Sequence, residues 1–245
     1  MLNISPPRKI QKIFEFLKEN HSINKKIQED FLGLTLSPYK NNKDRAKLLL
    51  YRTVNTQSQI NLDDARDFFQ KLESKCSLET LSSFSHFISN EYKSGRSIFE
   101  CLKNMPGWGD KTSALLIRNL ALINNNQKLN SMFWSDIHNI KSERIKLPVD
   151  SVILKIFENW PDNRSTLNKF KSINEYLTEI GYADEDMLIW DDLWFWGFIT
   201  QRSYPKEGRK IEWNEAKYWA IISAPKDKEA IRRVKMLARR FLKLF

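Results

Sequence analysis

The chain has 245 residues, 41% of them hydrophobic and 12% aromatic, which supplies one large core or two small lobes and excludes extended disorder. Two cysteines and three histidines exclude a cysteine-rich zinc site or an iron–sulfur cluster, which takes about four thiolates, so no metal and no cofactor is expected. A net charge of +10, with a pI near 9.5, points to a polyanionic partner, nucleic acid first and an anionic membrane second, or else to a basic surface that only confers solubility.

No apolar run approaches the roughly 18–20 residues that cross a bilayer. Met1 to Arg8 lacks the charged-then-apolar layout of a signal peptide. A cytoplasmic, monomeric chain with two reduced, buried thiols is the expectation.

Ile10 to Leu17 follows a Pro-Pro pair and puts Ile10, Ile13, Phe14 and Leu17 on one helical face. Ala46 to Val54 is an apolar helical run. Leu62 to Leu72 starts behind Asn61 as N-cap, with Asp63 and Asp64 in its first turn and Ala65, Phe68, Phe69 and Leu72 as its buried stripe. Leu78 to Tyr92 is a further helix, broken at Gly95, and Ile98 to Asn104 a short one. A helix from Lys111 to Leu122 comes next. Residues 124–146 turn polar and mixed, and read as an insertion with a short helix at Met132 to Ile140. Helical texture resumes at Ser151 to Trp160, Leu167 to Ile180, Glu185 to Phe198, Trp213 to Ser223 and Lys226 to Phe245. Nothing alternates with period two beyond a few residues, so the expected class is all-α.

Met105-Pro106-Gly107-Trp108-Gly109 leads into the helix that carries Lys111. Two glycines permit backbone conformations closed to other residues, and a tight turn aims amide N–H groups and the positive end of a helix at one point. Such a point suits a phosphate oxygen and binds backbone without reading sequence. The plainer reading is a glycine-rich connection that binds nothing. Lys111, at a positive helix end and partly desolvated, is expected to have a lowered pKa, which makes an amine a nucleophile for an electrophilic sugar carbon. Asp150, in Leu147-Pro148-Val149-Asp150-Ser151-Val152, is read on its own as an N-cap.

Together, Met105 to Ala114 and Pro148 to Val152 resemble the helix-hairpin-helix DNA glycosylase superfamily, whose members include endonuclease III and the 8-oxoguanine glycosylases. Leu48 to Gln57 is similar to the family helix that ends in a Gln-containing turn, and Asn61 to Ala65 fits the helix after it. The resemblance covers residues 45 to 160; the ends match in helical texture only. It implies two helical lobes flanking a DNA-binding cleft, residues 45–146 forming one and residues 1–44 plus 147–245 the other. It also implies that amides of Gly107, Trp108 and Gly109 grip the DNA backbone. Lys111 would attack C1′ and form a Schiff base, and Asp150 would stabilise the cationic sugar. Gln57 would fill the vacated stack, or is merely an exposed helix-end glutamine. The implied partner is double-stranded DNA with a damaged base, with no membrane involved.

Three departures stand out. The cysteine count leaves no cluster of the endonuclease III kind. The interval from Lys111 to Asp150 is longer than in the compact family pattern and is similar to that of archaeal-type 8-oxoguanine glycosylases, so 8-oxoguanine is favoured over oxidised pyrimidines. Trp108 stands where a small aliphatic is usual, either to touch the DNA groove or to pack on Ile98 or Phe99.

In Trp190 to Phe198, helical spacing reads as core, while the resemblance offers Trp194, Phe198 and Asp191 as lining for a base pocket. The basic amphipathic helix Ile231 to Lys243 packs through Val234, Leu237, Ala238 and Phe241, or lies on a membrane surface. The alternatives are therefore a DNA-binding module without catalysis and a membrane-surface protein.

Overall fold

Short polar side chains set where the helices begin. The computed structural model describes residues 6–57, 60–92, 97–158, 169–205, 207–222 and 227–245, which are mostly helical with one two-stranded sheet. Asn41, Asn61, Ser97, Asn126, Asp150, Asn214 and Asp227 each turn a side-chain oxygen onto free amides of the next helix. Those donors have no partner inside the helix, so the caps fix its start. Gly95 and the helix ends expected at Trp160, Leu167, Ser223 and Lys226 lie outside the described residues. No helix among the described residues is long and apolar enough to cross a membrane.

The chain divides into two compact units: a central one, residues 28–148, and a terminal one, residues 1–27 with 149–245. The first division falls inside helix α1 (Arg8–Leu36), a single helix of 29 residues. The sequence suggested a helix only to Leu17 because the buried stripe continues through Asn20 and Asn24, which interrupt an apolar pattern but are both buried. Asn20 satisfies its amide on the Phe16 carbonyl, 2.7 Å away.

The central unit contains α2 (Asn42–Val54), α3 (Leu62–Lys75), α4 (Leu81–Tyr92), α5 (Ile98–Leu102), α6 (Asp110–Asn125), α7 (Gln127–Asn130) and a 3-10 helix (Ile137–Ser142). Helix α6 is buried on nearly every side and forms the axis of the unit. Residues 124–146 do not loop out as an insertion. Leu129, Phe133, Trp134, Ile137 and Ile140 are buried, and Trp134 stacks on Phe84 with ring centroids 5.8 Å apart. Two carboxylates of this segment cap other helices. Asp136 accepts from the Leu81 and Ser82 amides at 2.7 and 2.9 Å, and Glu143 accepts from the Ile98 amide at 2.8 Å. The segment thus braces the N-termini of α4 and α5.

The terminal unit contains α8 (Ser151–Phe157), α9 (Phe170–Glu179), α10 (Glu185–Trp190), α11 (Asp192–Ile199), a hairpin of β1 (Gln201–Tyr204) and β2 (Gly208–Ile211), α12 (Glu215–Ile221) and α13 (Lys228–Leu242). The antiparallel hairpin pairs Gln201 with Ile211 and Tyr204 with Gly208, and was not expected. Its strands are short and mostly exposed, so they carry no alternation to read. Phe16 contacts Trp196 and Phe241 at 5.1 and 5.7 Å between ring centroids, and α13 buries Val234, Leu237, Ala238 and Phe241.

Helix α11 touches α8 at Gly197. A β-carbon there would lie 2.6 Å from Ile156 Cδ1 and 2.8 Å from Val152 Cγ1, so only glycine lets the two helices meet without displacement. Gly197→Ala should destabilise the fold by about 1–3 kcal/mol, as overpacking does, measured by urea unfolding; an unchanged midpoint would show that α8 yields freely.

Asp192, on the buried face of α11, is wholly enclosed and accepts from Asn24 at 2.8 Å, with His21 Nδ1 3.0 Å from its other oxygen. Burial pushes its carboxyl up to about 6, against the hydrogen bonds of His21 and Asn24, which pull it down. His21 is raised above its ordinary 6.5 chiefly by its hydrogen bond to Asp192. Both groups bind protons more tightly folded than unfolded. Their contribution to stability is therefore full below the ordinary Asp value of 3.8 and is lost as pH rises past about 6 and then through the raised His21 value. Asp192→Asn should flatten the decline in stability across that window in denaturant titrations; an unaltered slope would remove the pair from this role.

Candidate nucleic-acid interface and active site

Pro106 presets the φ of one turn position, and Gly107 supplies the next with φ +79°, a region that L side chains rarely adopt. The Trp108 amide donates back to the Met105 carbonyl at 3.0 Å, closing a turn of the type II pattern. The turn is also pressed on α3. A β-carbon at Gly107 would stand 3.2 Å from both the Cα and the N of Ala65.

The two glycines differ. Gly109 is the N-cap of α6 with φ −166° and ψ −179°, extended backbone that any residue adopts, and its missing β-carbon faces open space. The expectation that both glycines meet special backbone angles is corrected here: Gly107 is needed by the fold, whereas Gly109 only keeps the approach to the amides at the start of α6 uncovered. Gly109 caps with no side-chain bond, so the first amides of α6 are left to an outside acceptor.

Two residues from the end of α2 tie that region to the turn. Gln57 Nε2 donates to the Gly107 carbonyl at 2.8 Å, and Lys111 Nζ donates to the Thr56 carbonyl at 3.1 Å. Gln57, Gly107 and Lys111 are thus brought together as neighbours. Thr56 was not singled out from the sequence, because its contribution is a backbone carbonyl and carries no residue-type signal. Trp108 turns inward: it is 8% exposed and meets Phe68 edge-on at 5.3 Å between centroids. Its ring is part of the core, against Phe68 on α3, and a groove contact through the indole is not available. Its amide is spent on the Met105 carbonyl, so the expectation that Trp108 offers an N–H to the DNA backbone is corrected as well.

A cavity of about 550 Å³ lies between α2 and α3, walled by Tyr51, Leu62 and Phe69 and reaching Asn55; no residue of the turn lines it. Its cations are engaged, Lys47 with Glu73 and Arg66 with Asp63 and Asp67.

Asp150 opens α8 in the terminal unit, and its two oxygens have different work. Oδ1 accepts from the Val152 and Ile153 amides at 2.8 and 3.0 Å, the N-cap arrangement. Oδ2 accepts from Trp194 Nε1 at 3.1 Å. Trp194 and Phe198 are the half-buried residues of the otherwise buried α11, and their rings lie nearly parallel, 13° and 5.1 Å apart. The structure therefore joins Asp150, Trp194 and Phe198 along one edge of the unit. Asp191 is buried, and its charge is felt by His21 and Asp192.

Two cations complete that edge and were not anticipated. Lys217, on α12, holds its ammonium 4.7 Å from the Phe198 ring centroid. Arg209, on β2, donates to Ser151 Oγ at 3.2 Å and to Gln201 Oε1 at 3.3 Å. Burial lowers the Lys217 ammonium below its ordinary range, the Arg209 charge lowers it further, and Asp150 acts in the opposite sense. Lys217 follows an Asn cap in a short amphipathic stretch, and Arg209 sits in an exposed strand, so neither carries a motif.

No protein-family model matches the chain, and no curated protein or solved structure matches it either.

The contrast between the glycines gives a direct test. Gly107→Ala should destabilise the protein by about 1–3 kcal/mol, because a side chain is forced into the left-handed region against α3. Gly109→Ala should leave the melting temperature within a degree or two while weakening duplex DNA binding several-fold. Equal affinity of the Gly109 variant and the wild type in a fluorescence-anisotropy titration would show that no ligand approaches these amides.

Proposed function

We propose that the chain is a DNA glycosylase with AP lyase activity that acts on an oxidised base, 8-oxoguanine foremost, through a Schiff base at Lys111. The observation that carries this reading is the grouping of Lys111 and Gln57 around a turn whose following amides are uncapped and open to a phosphate. On this reading the turn is a helix-hairpin-helix that holds the DNA backbone, between two lobes that flank the duplex.

The chemistry follows from the groups. Lys111 loses a proton and its lone pair attacks C1′, while the C1′–N bond breaks and its electron pair leaves with the base, which takes up a proton. Asp150 carries its negative charge toward the cationic sugar, one oxygen already held by the α8 amides and the other by the Trp194 indole. Ring opening gives the iminium, loss of a C2′ proton follows, and the C3′–O bond breaks with the 3′ phosphate as leaving group. Water then releases Lys111. Trp194 and Phe198 offer stacking surface for a base taken out of the helix.

A second reading, a DNA-binding protein without chemistry, draws on the bond from Lys111 to the Thr56 carbonyl, which suits a purely structural lysine. Borohydride trapping separates the two. Duplexes carrying 8-oxoguanine, thymine glycol or an abasic site should be captured covalently by the wild type and not by Lys111→Ala. Asp150→Asn should retain DNA affinity, keep the helix cap through its amide oxygen, and lose base excision by at least about a hundredfold. Capture by Lys111→Ala at the wild-type level removes that amine from the mechanism, and absence of capture on every duplex favours the binding module.

A further inference from the structure

Arg209 and Lys217 are two cations held near each other on a half-buried edge, and among the described residues neither has a carboxylate within ion-pair distance. The partners of Arg209 are the neutral oxygens of Ser151 and Gln201, and that of Lys217 is the face of Phe198. Gln201 is itself buried and pinned by its amide to the Val152 carbonyl at 3.0 Å, so Arg209 rests on a fixed support. Most other short cation contacts differ in kind: Lys43, Lys47, Arg66, Lys103, Lys155 and Arg202 all reach acidic partners. Like charges in partial burial repel, and their repulsion is relieved by an anion placed between them. Burial is the main cause of the depressed Lys217 ammonium, and the Arg209 charge adds to it.

We propose that Arg209 and Lys217, with the Ser151 hydroxyl beside them, form a seat for a phosphate group on the edge shared by Asp150, Trp194 and Phe198. A guanidinium and an ammonium together satisfy several phosphate oxygens, and a planar base would find the stacked rings nearby. The assignment of the phosphate to a DNA strand rests on the glycosylase reading; the seat itself rests on the two cations and their neutral partners. The shared chemistry is a nucleotide phosphate, either a phosphodiester of a strand or the monoester of a free nucleotide.

Two titrations on the 245-residue chain test it. Against duplex DNA, Arg209→Gln and Lys217→Gln should each lower the slope of log affinity on log salt concentration by about 1, whereas Lys217→Arg should keep it. Against free ligands, deoxyguanosine 5′-monophosphate should bind about tenfold tighter than deoxyguanosine, and the Gln variants should erase that difference. A change confined to the duplex assigns the seat to the DNA strand, and a change confined to the mononucleotide assigns it to a free nucleotide. Unchanged slope together with an unchanged nucleotide preference, in variants whose thermal melting matches wild type, overturns the proposal. Borohydride capture that fails while these slopes shift would remove the glycosylase reading and leave the phosphate seat standing.

Discussion

The backbone of Gly107 runs so near that of Ala65 that a β-carbon would stand 3.2 Å from it, and the arrangement of the central unit around its candidate site depends on this approach. Because the turn lies flat on α3, its carbonyl is presented to Gln57 and its following residues enter α6 with Lys111 in the first turn. The inward Trp108 is the counterweight. Its ring, wedged against Phe68, anchors the turn from below and leaves the amides of the next residues on the outer side. A small aliphatic at position 108 would fill less of that space. The turn, the buried indole and the glycine contact thus form one packing unit.

In the terminal unit the corresponding organiser is the α8–α11 contact. Gly197 brings the helices close enough for the Trp194 indole, one turn earlier on α11, to reach the carboxylate that opens α8. Reading Asp150 as a cap and reading it as a charge with further use are therefore compatible. One oxygen is consumed by the helix start, and the other is oriented by an aromatic donor.

Much of this was legible in the sequence. The caps at Asn61 and Asp150, the Pro-Gly turn, the apolar run of α2 and the Phe68 and Leu72 stripe of α3 rest on local rules, and local rules can be read from a single chain. Three things were not. The length of α1 was hidden because its buried face switches from aliphatic residues to Asn20 and Asn24, the first satisfied on the Phe16 carbonyl one turn back and the second on Asp192, remote in sequence. The segment 124–146 looked dispensable because its apolar residues are irregularly spaced, although Trp134 is among the most buried side chains. Lys217 and Arg209 are brought beside Asp150 by tertiary packing of a hairpin and a short helix. At the candidate site, residues with a motif around them could be named from the sequence, and residues placed there only by tertiary packing could not.

The brace formed by residues 124–146 also bears on how the chain is made. Helices α4 and α5 receive their N-terminal carboxylates from Asp136 and Glu143, which follow them by 55 and 45 residues. As the polypeptide emerges from the ribosome, both helices are therefore without these partners until the brace has been synthesised. Their first turns are completed by residues made later, so the approach to the glycine turn gains its full support only after α6 has already been laid down.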